Sequence, residues 1–326
     1  MDVSLFNRKE WRYVQLNLTV YLVNPLFFVN FVIKSNVMEN VKSDKADFRH
    51  KPEWLKIKLP RGFKTEQVVG LLNDKGLHTI CSSGMCPNRG ECWGAGTATF
   101  MIGGDICTRN CRFCNVTTGR PKPLDPKEIY DIVDSVKALK LKHVVLTSVD
   151  RDDLPDYGAG HWCQMIRTLK HECPEVTMEV LIPDFKGETK YLDMVADEKP
   201  DIISHNLETV RRLTPEVRTF ATYDNSLHVL RYLSQRGVRT KSGIMLGLGE
   251  TREEILQTMD DLYATGCRIM TIGQYLQPTK KNYPVQEYVH PDTFAEYGRI
   301  GFSKGFRHVE SAPMVRSSYH AEKHLH

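Results

Sequence analysis

Alternation of short apolar runs with amphipathic stretches, beginning at residue 99, constrains this 326-residue chain more than any other feature. TFMIGGD (99–105), HVVLTSV (143–149), TMEVLIP (177–183), DIISHN (201–206), TKSGIMLG (240–247) and CRIMTIG (267–273) read as six strands. Between the first two, Ile129, Ile132, Val133, Val136 and Leu139 recur at helical spacing, giving a helix over about 126–139 one apolar stripe to lay on a sheet. A second helix is expected over about 161–170. Thr251 and Glu254 form a capping-box pattern that opens another, which Gly266 closes. This rhythm implies parallel βαβ units. Six units fall short of the eight that close a full barrel, so the expected fold is α/β, a partial (β/α)6 TIM-like barrel with its site at the C-terminal strand ends.

The expected organisation is an extension over 1–37, an arm and cysteine loop over 38–98, the barrel core over 99–290 and a C-terminal segment over 291–326. KPEWLKIKLP (51–60) reads as an extended arm anchored by Trp54 and Leu55, followed by a short helix from about Lys64 to Asn73. Leu16–Ile33 is an 18-residue apolar stretch, but Asn24 and Pro25 in its middle argue against a membrane span. The first 37 residues are expected to be a non-native or disordered extension, with synthesis starting at Met38. Apolar residues make up 41% and charged residues 26%, ordinary globular usage that argues against wholesale disorder. Forty-four Lys+Arg against 40 Asp+Glu leave +4, too small and dispersed for a nucleic-acid footprint. It leaves room for an acidic protein partner.

Six of the nine cysteines fall between residues 81 and 114, which favours a metal site over a disulfide framework. CTRNCRFC places Cys107, Cys111 and Cys114 in a C-x₃-C-x₂-C arrangement directly after the first strand, on the loop where a barrel carries its chemistry. A zinc site wants four ligands in paired spacing, whereas three thiolates on a [4Fe–4S] cluster leave one iron open to a small molecule. CSSGMCPNRGEC supplies a second triad, Cys81, Cys86 and Cys92. Taken alone, that loop also reads as a zinc knuckle or reduced surface thiols. Cys163, Cys173 and Cys267 match no cluster pattern and read as buried or half-buried thiols, and His320, His324 and His326 as solvated tail residues.

The C-x₃-C-x₂-C loop resembles the signature of radical S-adenosylmethionine enzymes, and the two triads together resemble the lipoyl synthase family. KPEWLKIKLP, ATFMIGGDICTRNCRFCNV, VVLTSVDRDDLPDYGA, SHNLETV, KSGIMLGLGE and RSSYHAE carry the likeness from about residue 50 to 322; the first 37 residues lie outside it. The resemblance implies two [4Fe–4S] clusters and S-adenosyl-L-methionine as cofactors. Cys107, Cys111 and Cys114 would hold the radical-generating cluster. Cys81, Cys86 and Cys92 would hold a sulfur-donating auxiliary cluster, with Ser318 of the RSSY motif as fourth ligand, Ser317 as the fallback and Arg316 as either a nearby charge for the cluster or merely a solvated residue. Phe113 matches the aromatic position beside the adenine. Ser148, Asp150, Glu179, Asn206 and Glu208, at or near C-terminal strand ends, are candidates for the ribose, amine or carboxylate of the cofactor. Arg218 is a candidate to pair with a carboxylate, against which an arginine after a helix more often reads as a surface residue.

The implied activity is insertion of two sulfur atoms, at C6 and C8, into the octanoyl group on a lysine of a lipoyl carrier domain. Implied partners are the glycine cleavage H protein or 2-oxoacid dehydrogenase E2 subunits, reduced ferredoxin or flavodoxin, and an iron–sulfur cluster carrier, in the cytoplasm, with neither nucleic acid nor membrane. Other sulfur-inserting radical enzymes, biotin-synthase-like or methylthio-transferring, are the alternative within this chemistry. A zinc-dependent binding module is the alternative outside it.

Overall fold

Every strand of the main sheet runs parallel to its neighbours. In the computed structural model, which describes residues 51–56, 70, 77–83, 86, 88, 92 and 99–325, the strands are β1 (Thr99–Ile102), β4 (His143–Ser148), β5 (Thr177–Leu181), β6 (Ile202–Ser204), β7 (Thr240–Leu246), β8 (Ile269–Gln274) and β9 (His308–Ser311). Their order, β1-β4-β5-β6-β7-β8-β9, follows the sequence and leaves β1 and β9 as its two edges, not joined to each other. The partial barrel is therefore open. A separate ribbon joins β2 (Ile106–Cys107) to β3 (Thr117–Thr118). The expected extension over 1–37 and, apart from Gly70, the helix from Lys64 to Asn73 lie outside the described residues.

The helices are α1 (Ile80–Ser83), α2 (Lys127–Ala138), α3 (Ala159–Glu172), α4 (Thr189–Asp197), α5 (Thr214–Val217), α6 (Tyr223–Gln235), α7 (Arg252–Ala264) and α8 (Pro291–Ser303). Helix α2 buries the stripe read from its sequence, Ile129, Ile132, Val133 and Val136. Each such side chain is worth about 2 kcal/mol of transfer free energy. Both bonds of the Thr251–Glu254 capping box form, and Gly266, at φ +93°, ends α7 in the left-handed conformation that glycine tolerates.

The seventh strand was not expected. Only Val309 is apolar in His308–Ser311, so the segment carries too little alternation to read as a strand; β8 supplies its register, Ile269 opposite His308 through Ile272 opposite Ser311. At the other edge, Met101 donates to His78 O at 3.0 Å, and Thr79 bridges Phe100 in antiparallel sense. The segment carrying the second cysteine triad is thereby moored to β1. Of the two expected arm anchors, Leu55 is buried, while Trp54 is 40% exposed with its ring edge-on to His290 at 5.1 Å. Cys163, Cys173 and Cys267 are buried, as expected. No helix among the described residues is long and apolar enough to cross a membrane.

Candidate active site

A cavity of about 450 Å³ opens at the C-terminal ends of the strands, where residues such as Met101, Ser148, Leu181, Gly243 and Gly273 form its wall. A roomier concavity of about 700 Å³ lies at the opposite ends, near Thr177, Arg236 and Arg239, and holds no cysteine. Parallel barrels place their chemistry at the C-terminal face, which selects the first cavity.

Cys107, Cys111 and Cys114 all lie on that wall. The β2–β3 ribbon closes the neck of their loop, and a Cys114 N–H to Cys111 O bond of 3.0 Å tightens its tip. The loop is tied on both sides: Arg112 N–H reaches Val217 O at 2.9 Å, Tyr283 N–H reaches Arg112 O at 2.7 Å, and the Asn282 amide reaches Cys114 O at 2.8 Å. Arg109, inside the loop, rivets it to two strands. Its guanidinium donates to Asp152 at 2.7 and 2.8 Å and to Asp184 at 2.8 Å, and lies 3.3 Å from Asp150. Burial works against the Asp184 carboxylate, but Arg109 outweighs it and holds the pKa down at about 2. The spacing of the cysteines drew attention in the sequence, and this arginine between them was missed.

The donor set fits an iron–sulfur cluster. Backbone N–H groups of Arg109 and Asp150 point at Cys107 Sγ at 3.4 and 3.3 Å, and that of Val116 points at Cys114 Sγ at 3.5 Å. Such donors stabilise thiolates and tune cluster potential. Burial, reinforced by Asp150, pushes the thiol of Cys107 up to about 11 and that of Cys111 to about 12, and burial also raises Cys114. Metal must therefore displace their protons on loading. Among the described residues no three His, Cys, Asp or Glu side chains are disposed to hold a metal ion.

Phe113, Ser148, Asp150 and Asn206 all border the cavity. Asn206 donates to Glu208, yet its Oδ1 is buried without a partner. An orphaned acceptor on a cavity wall is a place for a ligand hydroxyl or amine. Glu208 sits at φ +67°, pinned by Glu208 N–H to Gly243 O at 3.0 Å and Met245 N–H to Glu208 O at 2.8 Å. Strained backbone held from both sides is characteristic of ligand sites.

Two readings need correction. Glu179 does not reach the cavity: its carboxylate is taken by Lys241 Nζ, 2.9 Å from each oxygen, and by the Ser204 hydroxyl at 2.7 Å, because its position in β5 points into the barrel's packed interior. Arg218 is not on the surface. It is buried on the cavity wall, donating to Ser226 Oγ at 2.8 Å and Leu207 O at 3.3 Å. It opposes the rise that burial imposes on Glu208.

The second triad lies beside this cavity. Cys81 is buried in α1, and Cys86 and Cys92 pack half-buried against the core. The Asn115 amide, just beyond Cys114, donates to Ser83 O at 2.9 Å, and the Asn88 amide donates to Met314 O at 2.6 Å. The second loop is thus bonded both to the first and to the C-terminal tail. The tail runs across the end of β8, with Gln274 N–H to Pro313 O at 3.1 Å and Ala312 N–H to Ile272 O at 3.2 Å. This crossing requires a glycine, since a Cβ on Gly273 would collide with the Val315 carbonyl. Val315, Arg316 and Ser317 consequently reach the cavity wall, and Ser318 is half-buried next to them. Two of the tail histidines also depart from expectation: His324 is 1% exposed at the barrel's other end, beside His143 and His308, and His320 is half-buried, while His326 lies outside the described residues.

Residues 101–262 match the Radical SAM superfamily. The chain is 62% identical over 277 residues to a lipoyl synthase of Treponema denticola, covering 85% of this chain and 96% of the relative. It is 59% identical over 280 residues to a lipoyl synthase of Bacteroides thetaiotaomicron, covering 86% and 99%. Among solved structures, methylornithine synthase superposes with a TM-score of 0.51 at 15% identity, covering 75% of this chain and 74% of the other. HydG, a maturase of the [FeFe]-hydrogenase, superposes with 0.51 at 12%, covering 80% and 74%. Those two likenesses speak to the fold alone. With the cysteine loop at the barrel mouth and similarity at this level over 85% of its length, the chain belongs to the lipoyl synthase family of radical SAM proteins.

Proposed function

We propose that this chain is a lipoyl synthase, inserting two sulfur atoms at C6 and C8 of the octanoyl group on a lysine of a lipoyl carrier domain. The observation that carries the reading is that one cavity is bordered by the first triad and by a tail bonded to the loop of the second. When bound, a [4Fe–4S] cluster with S-adenosylmethionine supplies a radical strong enough to take hydrogen from an alkyl carbon, and a second cluster supplies the sulfur.

The protein's part is holding, orienting and excluding water. Cys107, Cys111 and Cys114 hold the first cluster, with Arg109 fixing their loop. Asn206 Oδ1 and the Glu208 and Asp150 carboxylates face the cofactor, and Phe113 and Ser148 complete its surroundings. Carboxylates suit a ligand that carries an ammonium and a sulfonium. Cys81, Cys86 and Cys92 hold the second cluster, with Ser318 or Ser317 as the oxygen ligand. Both clusters must open toward one cavity, because a carbon radical has to meet its sulfur within van der Waals reach. The partners of this reading are the glycine cleavage H protein or E2 subunits as carriers, reduced ferredoxin or flavodoxin as donor, and a cluster carrier for rebuilding, in the cytoplasm.

Anaerobically purified protein given S-adenosylmethionine, reductant and an octanoyl-lysine peptide should carry about eight irons with matching sulfide and form lipoyl-lysine. Zinc without sulfide, or 5′-deoxyadenosine release with no sulfur on the octanoyl chain, would refute the reading.

A further inference from the structure

Arg316 differs from two other arginines near the site. Arg109 meets three carboxylates and Arg151 meets Asp153. Arg316 Nη1 instead donates to two carbonyls of its own tail, Val315 O at 2.6 Å and Pro313 O at 3.4 Å, and no carboxylate of the described residues pairs with it. It lines the cavity half-buried, on the tail that the Asn88 bond to Met314 O ties to the loop of Cys86. Its location is enforced rather than incidental. The Gly273 crossing and the Asn88 bond to Met314 bring the tail within reach of the second loop.

A guanidinium has five donors, and half-burying it without an anion is costly. Two carbonyls of the same turn leave most of those donors and all of the charge uncompensated. Among the described residues no anion answers that charge, and the neighbouring group able to become one is the cysteine triad. Three thiolates and a serine oxygen on a [4Fe–4S] core leave the assembly net negative. Net charge and hydrogen bonds to sulfur are among the quantities that set its potential.

We propose that Arg316 is a positioning residue for the second triad, its guanidinium serving as counter-charge to the cluster held there and keeping the adjoining serines against it. The proposal rests on the two-cluster reading above. A positive charge beside a cluster favours its more negative, reduced form, so removing that charge lowers the midpoint potential.

The test compares Arg316→Gln and Arg316→Lys with the unaltered full chain, all reconstituted anaerobically, by iron and sulfide content and by redox titration of each cluster followed by electron paramagnetic resonance. Arg316→Gln should move the second cluster to lower potential and leave the first unchanged; Arg316→Lys should lie nearer the unaltered protein. A second cluster lost from the Gln variant and kept in the Lys variant supports the same role. An unmoved second-cluster potential in Arg316→Gln, or loss of that cluster in both variants, would overturn it. Only about four irons in the unaltered protein would instead sink the two-cluster reading itself.

Discussion

Replacing Glu179 with Gln separates a structural carboxylate from a cofactor ligand. Glu179 and Lys241 are 0% and 1% exposed in their side chains, with Nζ 2.9 Å from both carboxylate oxygens. The substitution keeps the shape and an acceptor for Ser204, but leaves the Lys241 ammonium buried without a counter-charge. Breaking one side of such a pair costs about 3–5 kcal/mol, a large share of the roughly 5–15 kcal/mol that holds a domain folded. Urea unfolding followed by tryptophan fluorescence should show the midpoint about 1–1.7 M lower, taking a slope near 3 kcal/mol/M. Glu179→Gln/Lys241→Met, which removes both charges, should recover much of the loss. S-adenosylmethionine affinity of the folded protein should stay within about threefold, less than 1 kcal/mol. An unchanged midpoint together with cofactor binding weakened about tenfold, or 1.4 kcal/mol, would place Glu179 at the cofactor and refute the reasoning.

Acid should destabilise the fold through two histidines. Burial, with Lys241 adding, pushes His324 down to about 3, and burial, with Arg218 adding, pushes His205 to about 4. The unfolded chain takes up these protons first as pH falls, so stability is full above about pH 6.5 and is lost below it, by about 2 kcal/mol per group at pH 5. Thermal midpoints from pH 8 to 5 should fall, and less steeply in His324→Leu; parallel curves would contradict this. Gly273→Ala should lift the tail off β8, leaving 5′-deoxyadenosine formation near normal while cutting lipoyl product at least about tenfold, about 1.4 kcal/mol. Faster proteolysis near residue 312 should accompany it, and undiminished product would show that the crossing is not required.

The strand–helix rhythm was legible because six strands carry their own apolar runs and α2 its own stripe. His308–Ser311 was not, because its pairing with β8 comes from the sheet rather than from its residues. The first cysteine loop stood out by its spacing, whereas the second took its reading only from standing beside the first. Arg109 and Arg218 were not legible, since an arginine reads as solvated until the carboxylates and carbonyls that enclose it are folded around it. Glu179 misled for the converse reason. It lies in a strand whose end faces the cavity, but which way its side chain points, and that Lys241 from β7 meets it, follow only from register. His324 likewise reads as a tail residue until the chain end returns to the barrel's far side.

The central claim is that the two triads divide radical generation from sulfur delivery, and single-turnover assays of Cys86→Ala and Cys111→Ala with an octanoyl-lysine peptide test it most directly. Quantifying 5′-deoxyadenosine, monothiolated intermediate and lipoyl product together, the account predicts that Cys111→Ala makes none of the three. Cys86→Ala should release 5′-deoxyadenosine and place no sulfur on the chain. Lipoyl product from Cys86→Ala at the unaltered level without added sulfide, or normal 5′-deoxyadenosine from Cys111→Ala, would contradict it.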